Sequence, residues 1–83
     1  MKILYFANFR EIVNISEETI KLPADVKDII GLIDWLSSKG ENYALAFADR
    51  NHVRVAVNQE HVDFEASIND TDEIAFFPPM TGG

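Results

Sequence analysis

An α+β fold, a mixed sheet with one main helix packed across it, follows from three features of this 83-residue sequence. Several short runs alternate apolar and polar residues between turn residues, the period of half-buried strands. One longer stretch, Asp25 to Gly40, repeats its apolar residues at three- and four-residue spacing, as an amphipathic helix does. The order of these runs is strand, strand, helix, then further strands. That order suits a hairpin, a crossover helix and a final strand lying beside the first at the centre of the sheet.

Residues 2–9, KILYFANF, are rich in β-branched and aromatic types and predict the first strand. Thr19 to Leu22 alternates and predicts the second, with Asn14 to Glu18 as the hairpin turn and Pro23 ending the strand. In the helix, Asp25 is the expected N-cap and Asp28 adds charge favourable to the first turn. Val26, Ile29, Ile30, Ile33 and Leu36 form its expected apolar face, with Trp35 packing beside it. Lys39-Gly40 is the expected stop. Gly31 lies inside and costs about 1 kcal/mol against Ala, which a close helix–sheet approach would explain. Residues 41–51 predict a short second helix and a turn, Val53 to Val57 a strand, and Asn58 to Glu60 a tight connection. His61 to Phe64 reads as a short edge strand, Asn69 to Asp72 as a polar turn, and Glu73 to Phe77 as the last strand, ended by Pro78-Pro79. The β-grasp (ubiquitin-like) roll is the simplest fold for this order. It places a domain at residues 1–77 and an extended, flexible tail at 78–83.

Composition narrows the function. A length of 83 residues is enough for one domain with a modest core. Seven basic and fourteen acidic residues leave a formal charge of −7, which is repulsive to nucleic acid. The absence of cysteine rules out a disulfide scaffold, a thiolate metal site and a cysteine nucleophile on this chain. No run approaches the roughly 18 apolar residues that span a bilayer. The N-terminal MKILYFANFREIV is broken by Arg10 and Glu11, unlike a secretory leader, so the cytoplasm is the expected location.

Catalytic patterns are missing as well. His52 and His61 stand nine residues apart without a third ligand type, so no metal is expected. The acidic run at 69–73 lacks the glycine and distant glutamate of a calcium loop. There is no nucleophile elbow and no phosphate-binding glycine loop. The chain is not expected to be an enzyme on its own or to bind a cofactor.

The ending PPMTGG is different. Two of the four glycines are its last residues, a pairing that arises by chance in about 0.5% of chains. The prolines keep the chain extended, and from Pro79 to Gly83 it can reach about 17 Å. Gly82 and Gly83 have almost no cross-section and accept any backbone angle. Such an arm delivers its terminal carboxylate into another protein's pocket. A carboxylate acylates poorly until it is adenylated, after which a sulfur nucleophile converts it to a thiocarboxylate.

Asp72 to Gly83, with its FFPP-x-TGG ending, resembles the end of the molybdopterin synthase small subunit (MoaD) family. Tyr5-Phe6-Ala7 with Arg10-Glu11, Ala44-Leu45-Ala46 and Ala56-Val57-Asn58-Gln59 resemble that family too, in order and at fitting spacing. The resemblance implies a β-grasp sulfur carrier of molybdenum cofactor biosynthesis. Gly83 would be adenylated by an E1-like adenylating enzyme that uses ATP, then converted to a thiocarboxylate with sulfur from a donor protein. Pro78, Pro79, Met80, Thr81 and Gly82 would insert into the large synthase subunit, where sulfur passes to cyclic pyranopterin monophosphate. Two small and two large subunits form the family's usual heterotetramer. Sulfur carriage for thiamine synthesis or tRNA thiolation, and ubiquitin-like protein modification, are the alternatives.

Strand alternation predicts the partner surface. If Ile3, Tyr5, Ile74 and Phe76 face the helix, then Leu4, Phe6, Ala75 and Phe77 share the outer face. Phe6 and Phe77, with His61 nearby, would form an exposed apolar patch at the root of the tail, the usual mark of a partner site. Arg10 joins this surface through the resemblance, and His61 stands where the family often has an aliphatic residue.

Overall fold

The computed structural model describes residues 1–79. Its elements are β1 (Lys2–Tyr5), α1 (Ala7–Val13), β2 (Glu17–Thr19), α2 (Ile29–Ser37), α3 (Glu41–Ala46), β3 (Arg54–Val57), β4 (Glu60–Val62) and β5 (Glu73–Phe77). A 3-10 helical turn, Arg50–His52, leads into β3. The five strands form one sheet in the order β2-β1-β5-β3-β4. β5 lies at its centre, parallel to β1 and antiparallel to β3. This is the expected mixed β-grasp sheet, with the last strand beside the first.

One face of the sheet carries the core. Ile3, Tyr5, Val55, Ile74 and Phe76 are buried there with Ile29, Leu32, Ile33 and Leu36 of α2. Phe76 is the hub of an aromatic cluster, with ring centroids 4.9 Å from Phe47, 6.3 Å from Tyr5 and 6.4 Å from Phe9. Trp35 packs against this core, half-buried, as expected.

Several local expectations give way to packing. Strand β1 ends at Tyr5, and residues 7–13 are helical rather than extended. Phe9, Ile12 and Val13 recur at helical spacing, and burying Phe9 and Val13 on the core outweighs local β propensity. The first two strands do pair antiparallel, but through this helix instead of a tight turn. Asn14 is the helix cap, left-handed at φ 69, and its N–H donates to the Arg10 carbonyl. β2 accordingly spans residues 17–19, not 19–22.

The N-cap of α2 is Asp28, not Asp25. Its Oδ1 accepts from the Gly31 N–H at 2.8 Å, while the Ile29 and Ile30 N–H groups donate to the carbonyls of Ala66 and Phe64. All three leading donors of the helix are thereby satisfied. Phe64 serves this cap, so β4 stops at Val62 instead of reaching residue 64. Gly31 is also explained by the cap and not by the sheet: a Cβ there would lie 3.1 Å from Asp28 Oδ1. Leu32 is buried on the helix face where Ile30 was expected, and Ile30 is exposed. The helix closes at Ser38, and Gly40 instead precedes α3 with extended backbone.

Candidate functional site

Among the described residues, no helix is long and apolar enough to cross a membrane. No group of three or more His, Asp or Glu side chains among them is placed to hold a metal ion. The carboxylates of the acidic turn are committed to structure. Asp72 Oδ2 accepts from the Asn69 N–H at 2.8 Å, and Asp70 Oδ1 accepts from the Leu22 N–H at 2.6 Å. Asp72 Oδ1 accepts from Asn58 Nδ2, whose own Oδ1 accepts from the Glu73 N–H. This exchange ties the β3–β4 turn to the first residue of β5. His52 is exposed and hydrogen-bonds through Nδ1 to Asp49, and among the described residues no third ligand joins this pair.

Among the described residues, no helix covers the other face of the sheet. Cross-strand pairing sets its residues: Leu4 beside Ala75, Ala75 opposite Ala56, and Ala56 opposite His61. One step further, Phe77 stands opposite Arg54, and the parallel β1–β5 register continued beyond Tyr5 brings Phe6 to the level of Phe77. The Phe6 N–H still donates to the Phe76 carbonyl at 3.1 Å, so the ladder extends to that residue. Phe6 is 47% exposed, and the His61 ring packs tilted against Phe77 with ring centroids 5.1 Å apart. Phe6 therefore lies level with Phe77 on this face and His61 packs against Phe77, where β5 runs into the half-buried Pro78 and Pro79. Arg10 is exposed on α1, one helical turn after Phe6. Met80, Thr81, Gly82 and Gly83, on which the tail chemistry was expected, lie outside the described residues.

Two residues escaped the sequence reading. Ala7 has φ 51, a left-handed backbone that side-chain-bearing residues seldom adopt, and it turns the chain from β1 into α1 directly after Phe6. Nothing in the local sequence signals it. Arg54 was read only as a polar position of an alternating strand, and its place opposite Phe77 needs the β3–β5 pairing.

On the core side, Glu18 organises a polar cluster that sequence spacing did not reveal. Tyr5 and Tyr43 donate to its Oε2 at 2.7 and 2.8 Å, and Lys39 Nζ donates to Oε1 at 2.7 Å. Burial alone would push the Glu18 carboxyl up, but these hydrogen bonds and the Lys39 charge hold it below its usual range. Burial, with Glu18 beside it, pushes the Tyr5 phenol well up. The cluster joins β1, β2, α2's end and α3, and it braces the sheet behind the open face.

A family model described as the ThiS family matches residues 3–83. The molybdopterin synthase sulfur carrier subunit of Escherichia coli is 37% identical over 100% of this chain and 99% of its own length. That of Haemophilus influenzae is 36% identical over the same shares. Among solved structures, a putative molybdopterin converting factor subunit 1 from Pyrococcus furiosus superposes with a TM-score of 0.75 at 30% identity, covering 95% of each chain. The small archaeal modifier protein 1 of Haloferax volcanii superposes at 0.73 with 21% identity, covering 96% of this chain and 97% of that one, which is a likeness of fold. With an open apolar sheet face at the root of a diglycine-ended segment, and with relatives aligned end to end, this chain belongs to the ThiS family and is related within it to molybdopterin synthase sulfur carrier subunits.

Proposed function

We propose that this chain is the sulfur carrier subunit of a molybdopterin synthase, with no catalytic machinery of its own. The observation that carries the reading is the join between the FFPP-x-TGG ending and the central strand β5, which presents Phe77 on the uncovered face just before the segment begins. The end-to-end likeness to named sulfur carrier subunits supports it.

The chemistry follows from the carboxylate. An adenylating enzyme joins the Gly83 carboxylate to AMP from ATP and releases pyrophosphate. The outer sulfur of a donor protein's persulfide displaces AMP to give an acyl disulfide, and a thiol then cleaves its S–S bond, which frees the thiocarboxylate and leaves the donor as a disulfide with that thiol. In the large synthase subunit the thiocarboxylate sulfur bonds to a carbon of cyclic pyranopterin monophosphate as a carbon–oxygen bond at that carbon breaks and the oxygen leaves protonated or as phosphate. Water then cleaves the acyl–sulfur bond, which restores the carboxylate and leaves the sulfur on the acceptor. Residues 78–82 thread the pocket, while Phe6, Arg10, His61 and Phe77 dock the body against the partner. The setting is cytoplasmic, and ATP is consumed by the activating enzyme, with no cofactor held on this chain.

Intact mass after incubation with ATP, an adenylating enzyme and a sulfur donor tests the first half. Replacement of one oxygen by sulfur at Gly83 is expected, and its reversal on adding the large subunit and cyclic pyranopterin monophosphate tests the second. An unchanged mass, under conditions that convert a known carrier, would overturn the proposal. Deleting Gly83 should abolish transfer and leave the fold intact.

A further inference from the structure

Among the described residues, Arg50 is the one arginine of three that reaches a carboxylate, with Nη2 2.8 Å from Asp34. Arg54 has none within 4.0 Å among the described residues, although the chain holds fourteen acidic residues to seven basic ones. Its Nη1 instead donates to the carbonyls of Asn51 at 3.1 Å and Val53 at 3.0 Å. These bonds fix the guanidinium without neutralising it. Asp63 comes nearest by register, one step beyond the Val55–Val62 pair, but its Oδ1 accepts from the Glu65 N–H at 3.0 Å. Arg54, His61 and Asp63 line one shallow concavity of about 580 Å³ with Val62 and Ala66. Arg54 is also the residue directly across the ladder from Phe77.

A partner that covers Phe77 must therefore remove water from around a free cation. Against a purely apolar surface the desolvation would be uncompensated and would cost several kcal/mol. Against a carboxylate it becomes a source of selectivity, because a mismatched partner leaves the charge unpaired. We infer that Arg54 is a recognition residue of this face, and that the partner it fits presents a carboxylate beside an apolar socket for Phe77. The inference rests on the docking role assigned to the face under the proposed function. His61, opposite Ala56 on the same side of Phe77, offers the same carboxylate a second donor.

The test is calorimetric binding of the full chain to its cognate synthase large subunit at low and high salt, with the variants Arg54→Glu, Arg54→Gln, Arg54→Lys and Phe77→Ala. Arg54→Glu should weaken binding roughly tenfold or more at low salt, as loss of a close interfacial charge pair does. Arg54→Gln should weaken it less and flatten the salt dependence, and Arg54→Lys should retain most of the affinity. Phe77→Ala should weaken binding at either salt. If both Arg54→Glu and Arg54→Gln bind like wild type while Phe77→Ala does not, the role of Arg54 is refuted and the docking face stands. If Phe77→Ala also binds like wild type, the docking face itself is refuted. If Arg54→Glu acts only by abolishing self-association of the chain, measured by sedimentation, the occupant is a second copy and the inference is overturned.

Discussion

The hydroxyls of Tyr5 and Tyr43 donate to the same oxygen of Glu18, at 2.7 and 2.8 Å, while Lys39 takes the other oxygen at 2.7 Å. The Lys39 ammonium also sits over the Tyr43 ring, 4.8 Å from its centroid. One carboxylate on a three-residue strand thus holds that strand to β1 and to both ends of the α2–α3 connection.

The charge of Glu18 is the useful variable. Its carboxyl is held below the usual range in the folded chain, so its contribution is fully present above the unfolded carboxylate value of about 4.3 and is lost as pH falls through the folded value. Glu18→Gln should cost about 1–3 kcal/mol near neutral pH, the scale of hydrogen bonds to a charged group. The difference from wild type should shrink in acid, as wild-type Glu18 is itself protonated on passing through its lowered folded value. Urea unfolding of both proteins near neutral pH and in acid measures this. A gap that stays constant across the range would show that the carboxylate charge does not matter.

Asp28 and Asp25 separate two ways of starting α2. Asp28→Ala should destabilise by about 0.5–2 kcal/mol, with Asp28→Asn recovering most of the loss. Asp25 is exposed and makes no cap contact, so Asp25→Ala should change thermal stability little. Equal losses from the two alanine variants would return the N-cap to Asp25.

Legibility in the sequence followed the length of each signal. Strands β3 and β5 were clear because Val53 to Val57 and Glu73 to Phe77 alternate without interruption, and their alternation also separated Phe76 from Phe77. Helix α1 was hidden because Phe6, Phe9, Ile12 and Val13 satisfy β propensity residue by residue. Only burial of Phe9 and Val13 against the aromatic core selects the helix. The choice between Asp25 and Asp28 turned on loop carbonyls from residues 64 and 66, more than thirty positions away, which no local pattern reports. The outward placing of Phe6 and Phe77 followed from strand period, while the Glu18 cluster needed contacts between β1, β2, α3 and the α2–α3 connection.

Ala7 has a left-handed backbone, at φ 51, immediately after the exposed Phe6. An L-residue there bears a steric cost that glycine avoids. Ala7→Gly should therefore be neutral or stabilising by up to about 1 kcal/mol, despite the usual entropic cost of glycine. Ala7→Val should destabilise by about 1–3 kcal/mol, because a β-branched side chain is a true outlier in this region. Thermal melts of the three proteins decide it. If valine is tolerated and glycine is not, residues 6–8 adopt a different turn.

Phe76 and Phe77 are neighbours in sequence that face opposite sides of the sheet, and substituting each in turn separates folding from docking. Phe76 is fully buried and touches three aromatic rings, so Phe76→Ala should cost about 3–5 kcal/mol and leave a small domain largely unfolded. Phe77 is half-buried, and its ring is flanked at a tilt by the exposed His61, so Phe77→Ala should keep the circular-dichroism spectrum and most of the thermal stability. Its loss should appear in affinity for the large subunit, on the scale of about 1–3 kcal/mol for an aromatic anchor. Phe6→Ala should behave like Phe77→Ala, since Phe6 lies at the same level of the same face. A Phe77→Ala protein that unfolds as Phe76→Ala does would mean that the outer face is part of the core, and the docking surface would have to be sought on another side of the sheet.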